Sequence, residues 1–367
     1  MAKAFEEEER HDSWSELPPE IVSLIFSHLF SKRDHIIFGA ICKSWKSVTA
    51  FRTPRPLSLD FAYHGSPFLM ALKGDRYNFY HPIHASYYLH IPQLSDKIIL
   101  DSKYGWLLMG GTGDNVSSIF FFHPLKNEKI DLPDIPWDGL FFQFGFCSSP
   151  TSSECVVVAI TSGYTMVTIG ITKPGEENWT QVEIRFRPKH QGDKLFRQGN
   201  DTFHISCTPV FHDGNCYCLD VDGKVIVFDP KDIAGSLNFC GKSYSEVPHK
   251  SVVQSFMVES DGELLTVFLH EEGKIWICKL NPTKGEWMKV EDLGNKVMYV
   301  SNGGSWAEKA TFQGMGNKIY LPMLYDNNAV VFYCLATGRF HSNGCDFSQK
   351  KFYHMKQLYH STWIKPW

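Results

Sequence analysis

Leu17-Pro18-Pro19-Glu20-Ile21-Val22-Ser23-Leu24-Ile25-Phe26, followed at a distance by Ile41-Cys42-Lys43-Ser44-Trp45-Lys46, separates a helical front from a very different remainder. Proline suits a first helical turn, where its missing N–H would have had no partner. Ser15 is a candidate N-cap, with Glu16 and Glu20 near the positive end of the helix. Ile21, Leu24, Ile25 and Leu29 recur at helical spacing and share one face. Ser31-Lys32-Arg33-Asp34 interrupts the pattern. A second amphipathic run follows, with Phe38, Ile41, Cys42, Trp45 and Val48 as its apolar positions. Gly39 weakens that run by roughly 1 kcal/mol relative to alanine. The unit, residues 14–50, is too short to bury a self-sufficient core easily. Part of its apolar surface is therefore expected to meet another chain.

Beyond it the periodicity changes. Residues 1–13 read as an acidic, flexible tail and residues 51–56 as an extended linker, because Pro54 and Pro56 disfavour helix at the residues before them. From residue 57 to 367 the pattern is strand-like. Short β-rich runs follow turn signals in pairs: Asp213-Gly214 and Asp222-Gly223, Asp261-Gly262 and Glu272-Gly273, Gly316-Asn317 and Asn327-Asn328. A longer repeat overlies these pairs. His123-Pro124, Lys173-Pro174, Asp229-Pro230, Asn281-Pro282 and Leu335-Ala336 open similar turns, with 50, 56, 52 and 54 residues between successive second members. Leu72-Lys73-Gly74-Asp75 extends the series backwards. A period of about 50 residues with four strands per repeat marks a propeller blade, and six turns predict about six blades. A β-sandwich or irregular β-domain is the alternative. Trp363–Trp367 is expected to complete a blade begun by Leu57–Phe61, which would protect the sheet edges.

Composition narrows the function classes. The chain has 367 residues, 43% hydrophobic, with a net charge of −4, so it can bury a large core and offers no general electrostatic case for nucleic acid. Ten cysteines include no CxxC pair. Cys216 and Cys218 would face the same side of a strand, and they read as buried free thiols rather than metal ligands. No apolar run reaches the ~20 residues of a membrane helix, and the acidic start is no signal peptide. The expectation is a chain of the cytoplasm and/or nucleus.

The remaining motifs read as structural. Gly110-Gly111-Thr112-Gly113 lacks any phosphate-binding pattern and reads as a hairpin turn. His81, His84 and His90, near Tyr87 and Tyr88, read as a solvated aromatic loop. Asp213, Asp222, Asp229 and Asp261 occupy turns, where aspartate bonds its own backbone. Arg185 to His190 reads as a solvated basic loop. No catalytic residue, cofactor site or metal site is expected.

Two resemblances give these readings a direction. Leu17-Pro18-x-Glu20-Ile21, then Asp34, then Ile41-Cys42-Lys43-Ser44-Trp45-Lys46 resembles the F-box, in which LPxE opens the first of three helices and VCKxW lies on the third. A helical hairpin capping the next domain is the alternative. Tyr104-Gly105-Trp106-Leu107-Leu108, Phe122-His123-Pro124-Leu125 through Ile130-Asp131-Leu132-Pro133, Trp287-Met288-Lys289-Val290, Gly316-Asn317-Lys318-Ile319-Tyr320 and Trp363-Ile364-Lys365-Pro366 together resemble the KIB-type β-propeller that follows the F-box in many plant proteins. The resemblance implies a mainly β chain, with an F-box at 14–50 and a propeller at 57–367. It also implies docking on the Skp adaptor of a cullin-based ubiquitin ligase, with the propeller binding an unidentified target protein. Leu17, Pro18, Ile21, Val22, Ile25, Leu29, Ile41, Cys42 and Trp45 would form or support the adaptor-binding face. A propeller enzyme, or a scaffold acting outside a ubiquitin ligase, is the competing reading. Converging carboxylates or histidines at one end of the central channel would favour the enzyme.

Overall fold

A computed structural model describes residues 14–27, 38–50, 67–73, 76–82, 87–111, 118–124, 126–138, 142–163, 166–186, 203–241, 252–281, 283–310, 314–325, 328–342, 345–346 and 355–365. The acidic tail, Leu29, the 31–34 interruption, the 51–56 linker, Leu57–Phe61, His84 and residues 187–190 lie outside them. The chain divides into two compact units, one within Met1–Gly65 and one within Ser66–Lys365.

The larger unit is a six-bladed propeller. From the hub outwards, blade 1 runs Ser361–Ile364, Phe68–Lys73, Arg76–Tyr80, Tyr87–His90, and blade 2 runs Lys97–Lys103, Trp106–Gly111, Phe120–His123, Glu128–Asp131. Blade 3 is Phe142–Phe146, Val157–Ser162, Met166–Thr172, Thr180–Arg185, and blade 4 is Val210–His212, Asn215–Leu219, Val225–Phe228, Asn238–Cys240. Blade 5 comprises Val252–Ser260, Glu263–His270, Ile275–Asn281 and Glu286–Val290. Blade 6 is wider. Trp306–Lys309 and Lys296–Tyr299 precede Lys318–Tyr325, Ala329–Cys334, Arg339–Ser342 and Cys345–Asp346, and Lys356–Gln357 also pairs with Lys318–Tyr325.

Local sequence explains the strands and their turns. Central strands are covered on both faces by neighbouring blades, so Val157–Ile160 and Leu264–Leu269 are unbroken buried runs rather than alternating ones. The innermost hairpins of blades 2, 4 and 5 turn on Tyr104-Gly105, Asp213-Gly214 and Asp261-Gly262, with both residues of each pair at positive φ. That is the geometry matching the right-handed twist of the flanking strands. The apolar cores lie between successive sheets. Val258, Val267 and Ile277 of blade 5 meet Ile319, Leu321 and Val331 of blade 6. Cys216 and Cys218 lie buried in the cluster between blades 3 and 4, their sulfurs 4.0 Å apart as free thiols.

Tryptophan N–H groups tie blade to blade. Trp179 Nε1 donates to the Pro133 carbonyl at 2.8 Å and Trp287 Nε1 to the Gly223 carbonyl at 2.8 Å. Trp363 Nε1 donates to the Val300 carbonyl at 3.0 Å, which joins blade 1 to blade 6.

Three expectations need correcting. The terminal strand does close a blade, but its partner is Phe68–Lys73, with Phe68 opposite Ile364 and Leu69 opposite Trp363. The turn after Leu72 lies between the second and third strands of blade 1, not between the third and fourth as in blades 2 to 5. The equivalent turn in blade 1 begins at His81-Pro82, only 42 residues before Pro124, so the shortened spacing hid it. His81 itself is buried, with its ring 4.9 Å from Phe68 edge-on, and is no solvated loop residue.

Candidate functional site: the apolar face of the front module and the propeller hub

The front module starts with a 3-10 turn, Trp14–Glu16, followed by α1, Pro19–Ser27. Ser15 belongs to that turn and is not the residue directly before α1. The Pro18 carbonyl instead accepts the first helical bonds, from the N–H groups of Ile21 and Val22, both at 3.0 Å. Pro19 then opens the helix without losing a hydrogen bond. Residues 38–41 form a helical turn, and α2 covers Lys43–Ala50.

Four side chains make the core: Val22, Phe26, Phe38 and Trp45. Phe38 lies 5.1 Å from Phe26 and 4.4 Å from Trp45, centroid to centroid. The Trp45 indole N–H donates to the Trp14 carbonyl at 3.1 Å and so pins the 3-10 turn to α2. Leu17, Ile25, Cys42 and Val48 pack against this core as half-buried residues.

A different set points outward. Ile21 is 43% exposed, Leu24 56% and Ile41 53%, and Pro18 is exposed as well. Helix α1 is therefore apolar on two sides. One side, Val22 and Phe26, closes the module, and the other, Ile21 and Leu24, faces out. An apolar helix face left outside a core marks an interaction surface more strongly than scattered exposed residues do. Of the nine residues expected in the docking set, Pro18, Ile21 and Ile41 are on the surface, and Leu17, Ile25 and Cys42 lie at its margin. Val22 and Trp45 are interior, and Leu29 is outside the described residues. Spacing placed Ile21, Leu24, Ile25 and Leu29 on one face but did not show that Val22 and Phe26 would make the inner one.

The propeller hub is the other place where chemistry was sought. Its buried carboxylate, Asp101, accepts from the N–H of Ser102 at 2.8 Å and of Phe146 at 3.2 Å, with the Lys103 ammonium 3.9 Å away. Burial raises its pKa, an effect these donors and the ammonium oppose. The carboxylate joins the innermost strands of blades 2 and 3, which is a structural use. Asp220, at the end of an inner strand of blade 4, is similar: it accepts from the N–H of His204 and Asp222 at 2.7 and 2.5 Å. Neither stands out in the sequence, where the aspartates considered, Asp213, Asp222, Asp229 and Asp261, read as turn residues. Among those, Asp229 does bond its own turn, accepting from the Lys231 N–H at 2.8 Å. Among the described residues no group of three or more His, Cys, Asp or Glu side chains is arranged to hold a metal ion, and no helix is long and apolar enough to cross a membrane.

Comparison with known proteins agrees with this division. The KIB1-4 beta-propeller family model matches residues 77–342, and the F-box-like model matches residues 14–51. An F-box/kelch-repeat protein of Arabidopsis thaliana is 29% identical over 370 residues, covering 96% of this chain and 94% of the relative. An F-box protein of the same plant is 27% identical over 368 residues, covering 98% of this chain and 90% of the relative.

Proposed function

Because the chain belongs to the KIB1-4 beta-propeller family and carries an F-box-like module in front, we propose that it is the substrate-recognition subunit of a Skp–cullin–F-box ubiquitin ligase. The observation that carries this reading is the outward apolar face of a module whose own core is already closed. Ile21, Ile41 and Pro18 contact the Skp-type adaptor. Leu17, Ile25, Leu29 and Cys42 border that contact. Val22 and Trp45 act indirectly, by holding α1 and α2 in place. Fully burying an isoleucine-sized side chain is worth about 1.5–3 kcal/mol, and Ile21 and Ile41, already half covered, each add about half of that as anchors within the contact.

The propeller binds the target protein. The mechanism is proximity: one chain with two binding sites raises the concentration of target beside the transfer machinery, and this chain performs no bond chemistry. The backbone-bonded state of Asp101 supports the non-enzymatic reading over a channel enzyme. Cysteines that form no disulfide among the described residues fit a reducing compartment, the cytoplasm or nucleus.

The test is co-purification with a Skp-type adaptor and cullin. Ile21→Asp with Ile41→Asp should abolish recovery of both while the propeller melts as before. The double variant Leu17→Ala with Pro18→Ala should do the same. Unchanged adaptor recovery by the aspartate variant would refute the docking assignment. Recovery of adaptor without cullin would leave a scaffold.

A further inference from the structure

The segment Val300-Ser301-Asn302-Gly303-Gly304-Ser305 lies between two strands of blade 6, yet its bonds reach well beyond that blade. In blade 1, the Thr362 hydroxyl donates to the Gly303 carbonyl, and the Trp363 N–H donates to Ser301 Oγ at 3.3 Å. The Thr208 hydroxyl, two residues before the innermost strand of blade 4, donates to the Asn302 carbonyl at 2.5 Å. In blade 5, Gln254 Nε2 donates to Asn302 Oδ1, and Gln254 Oε1 accepts in turn from Gln357 Nε2. Asn302 Nδ2 donates to the Tyr359 carbonyl at 3.0 Å.

Blade 2 is reached by close approach. A Cβ on Gly304 would stand 2.9 Å from Asp101 Oδ1 and 2.9 Å from the Ser102 carbonyl, and one on Gly303 would stand 3.2 Å from Ile99 Cγ2. Gly304 also sits at φ +114, a conformation that side-chain-bearing residues rarely adopt.

Blades 1 and 4 face each other across a six-membered ring, and so do blades 2 and 5. A short segment that touches both opposed pairs must lie on the ring axis. Its own bonds hold it in shape: Ser301 Oγ donates to the Gly304 carbonyl at 2.5 Å, and Ser305 Oγ accepts from the Ser301 N–H at 3.1 Å.

We propose that residues 300–305 form an axial pin, a main-chain plug that couples the last-made strand of the ring to blades on its far side and occupies the channel where a propeller would otherwise take a ligand. Ring closure by Ser361–Ile364 and filling of the axis are then one event. Loosening either end of the pin loosens the other, by the reciprocity that any coupling between two sites obeys.

The test uses two near-isosteric variants of the full chain, Thr362→Val and Thr208→Val, each removing one hydroxyl bond to the pin from opposite sides. Amide hydrogen exchange is read by mass spectrometry. Thr362→Val should accelerate exchange about tenfold in 208–212, which Thr362 does not touch, and Thr208→Val should do the same in 361–364, as expected for loss of one buried hydrogen bond. The double variant should melt at a higher temperature than the sum of the single effects predicts. Acceleration confined to each variant's own blade, with additive melting shifts, would overturn the proposal. If a threonine variant proves too mild to read, Gly304→Ala displaces the pin directly. It should accelerate exchange at both remote segments, and protection retained at both would overturn the proposal as well.

Discussion

In the ring, although Tyr104 and Tyr359 stay exposed, Trp363, Tyr299 and Tyr77 are fully buried. Even their polar atoms are turned to use, with the Tyr77 hydroxyl donating to the Leu94 carbonyl at 2.9 Å. In the front module, isoleucines of comparable apolar weight are left half outside while Val22 and Trp45 are enclosed. Both regions draw on the same amino-acid types. They differ in whether the fold has enough of its own surface to cover them. A ring of six sheets supplies each blade with two neighbours, whereas in the front module Ile21 and Leu24 of α1 stay about half exposed. The difference teaches where to look for a partner: at the region that runs out of self-made cover.

The sharpest way to break this contrast is Trp363→Ala. It removes a buried indole together with its bond to Val300 and should cost the ring about 3–5 kcal/mol, seen as a large fall in melting temperature. A loss below 1 kcal/mol would mean that closure does not depend on the terminal strand. Next comes Ile21→Asp with Ile41→Asp, expected to weaken adaptor affinity by more than about 100-fold, the scale of a lost hot-spot pair, with circular dichroism unchanged. Loss of helical signal would instead show that these residues belong to the module's own core.

A smaller effect is expected with pH. Burial pushes the Cys207 thiol up from its ordinary 9.0 to about 12. The unfolded thiol ionises first, so its contribution is fully present below pH 9 and is lost as pH rises from there towards 12. At pH 10 the loss is about 1.4 kcal/mol, one pKa unit's worth. Melting curves of Cys207→Ala should therefore fall less steeply between pH 8 and 10 than those of the native chain, and parallel curves would exclude this thiol as a source. The smallest effect is Trp287→Phe, which deletes the bond to Gly223 and should cost about 1 kcal/mol by denaturant melting. No change would show that the indole ties between blades add nothing to packing.

The sequence reveals the propeller through its turns, because a turn's chemistry is local. Asp213-Gly214 and Asp261-Gly262 take left-handed backbone at both residues, and each marks a hairpin. The repeat failed only where a blade was shortened: His81-Pro82 repeats His123-Pro124, but at 42 residues it fell outside the expected interval. The pairing of Ser361–Ile364 with Phe68–Lys73 was hidden for a different reason. Several extended runs near the start could have served, and only three-dimensional register chooses between them. In the module, spacing identifies an apolar face but not which of two faces is inward, since that depends on where Phe38, in the turn 38–41, and Trp45, in α2, arrive. The pin was invisible. Ser-Asn-Gly-Gly-Ser reads as an ordinary loop, and nothing in its composition announces that Thr208, Gln254 and Thr362 converge on it.

The hub strand of blade 1 is Ser361–Ile364, while its three companions lie between residues 68 and 90. During synthesis the first blade therefore waits, incomplete, until the other five blades and residues 361–364 have left the ribosome, whereas residues 14–50 emerge before any blade. A message cut short before the codons for residues 361–364 would, on the function proposed, still yield a product able to occupy the ligase yet unable to deliver a client. Such a product would be a competitor of the intact receptor rather than a mere loss of it, and the damage would be dominant.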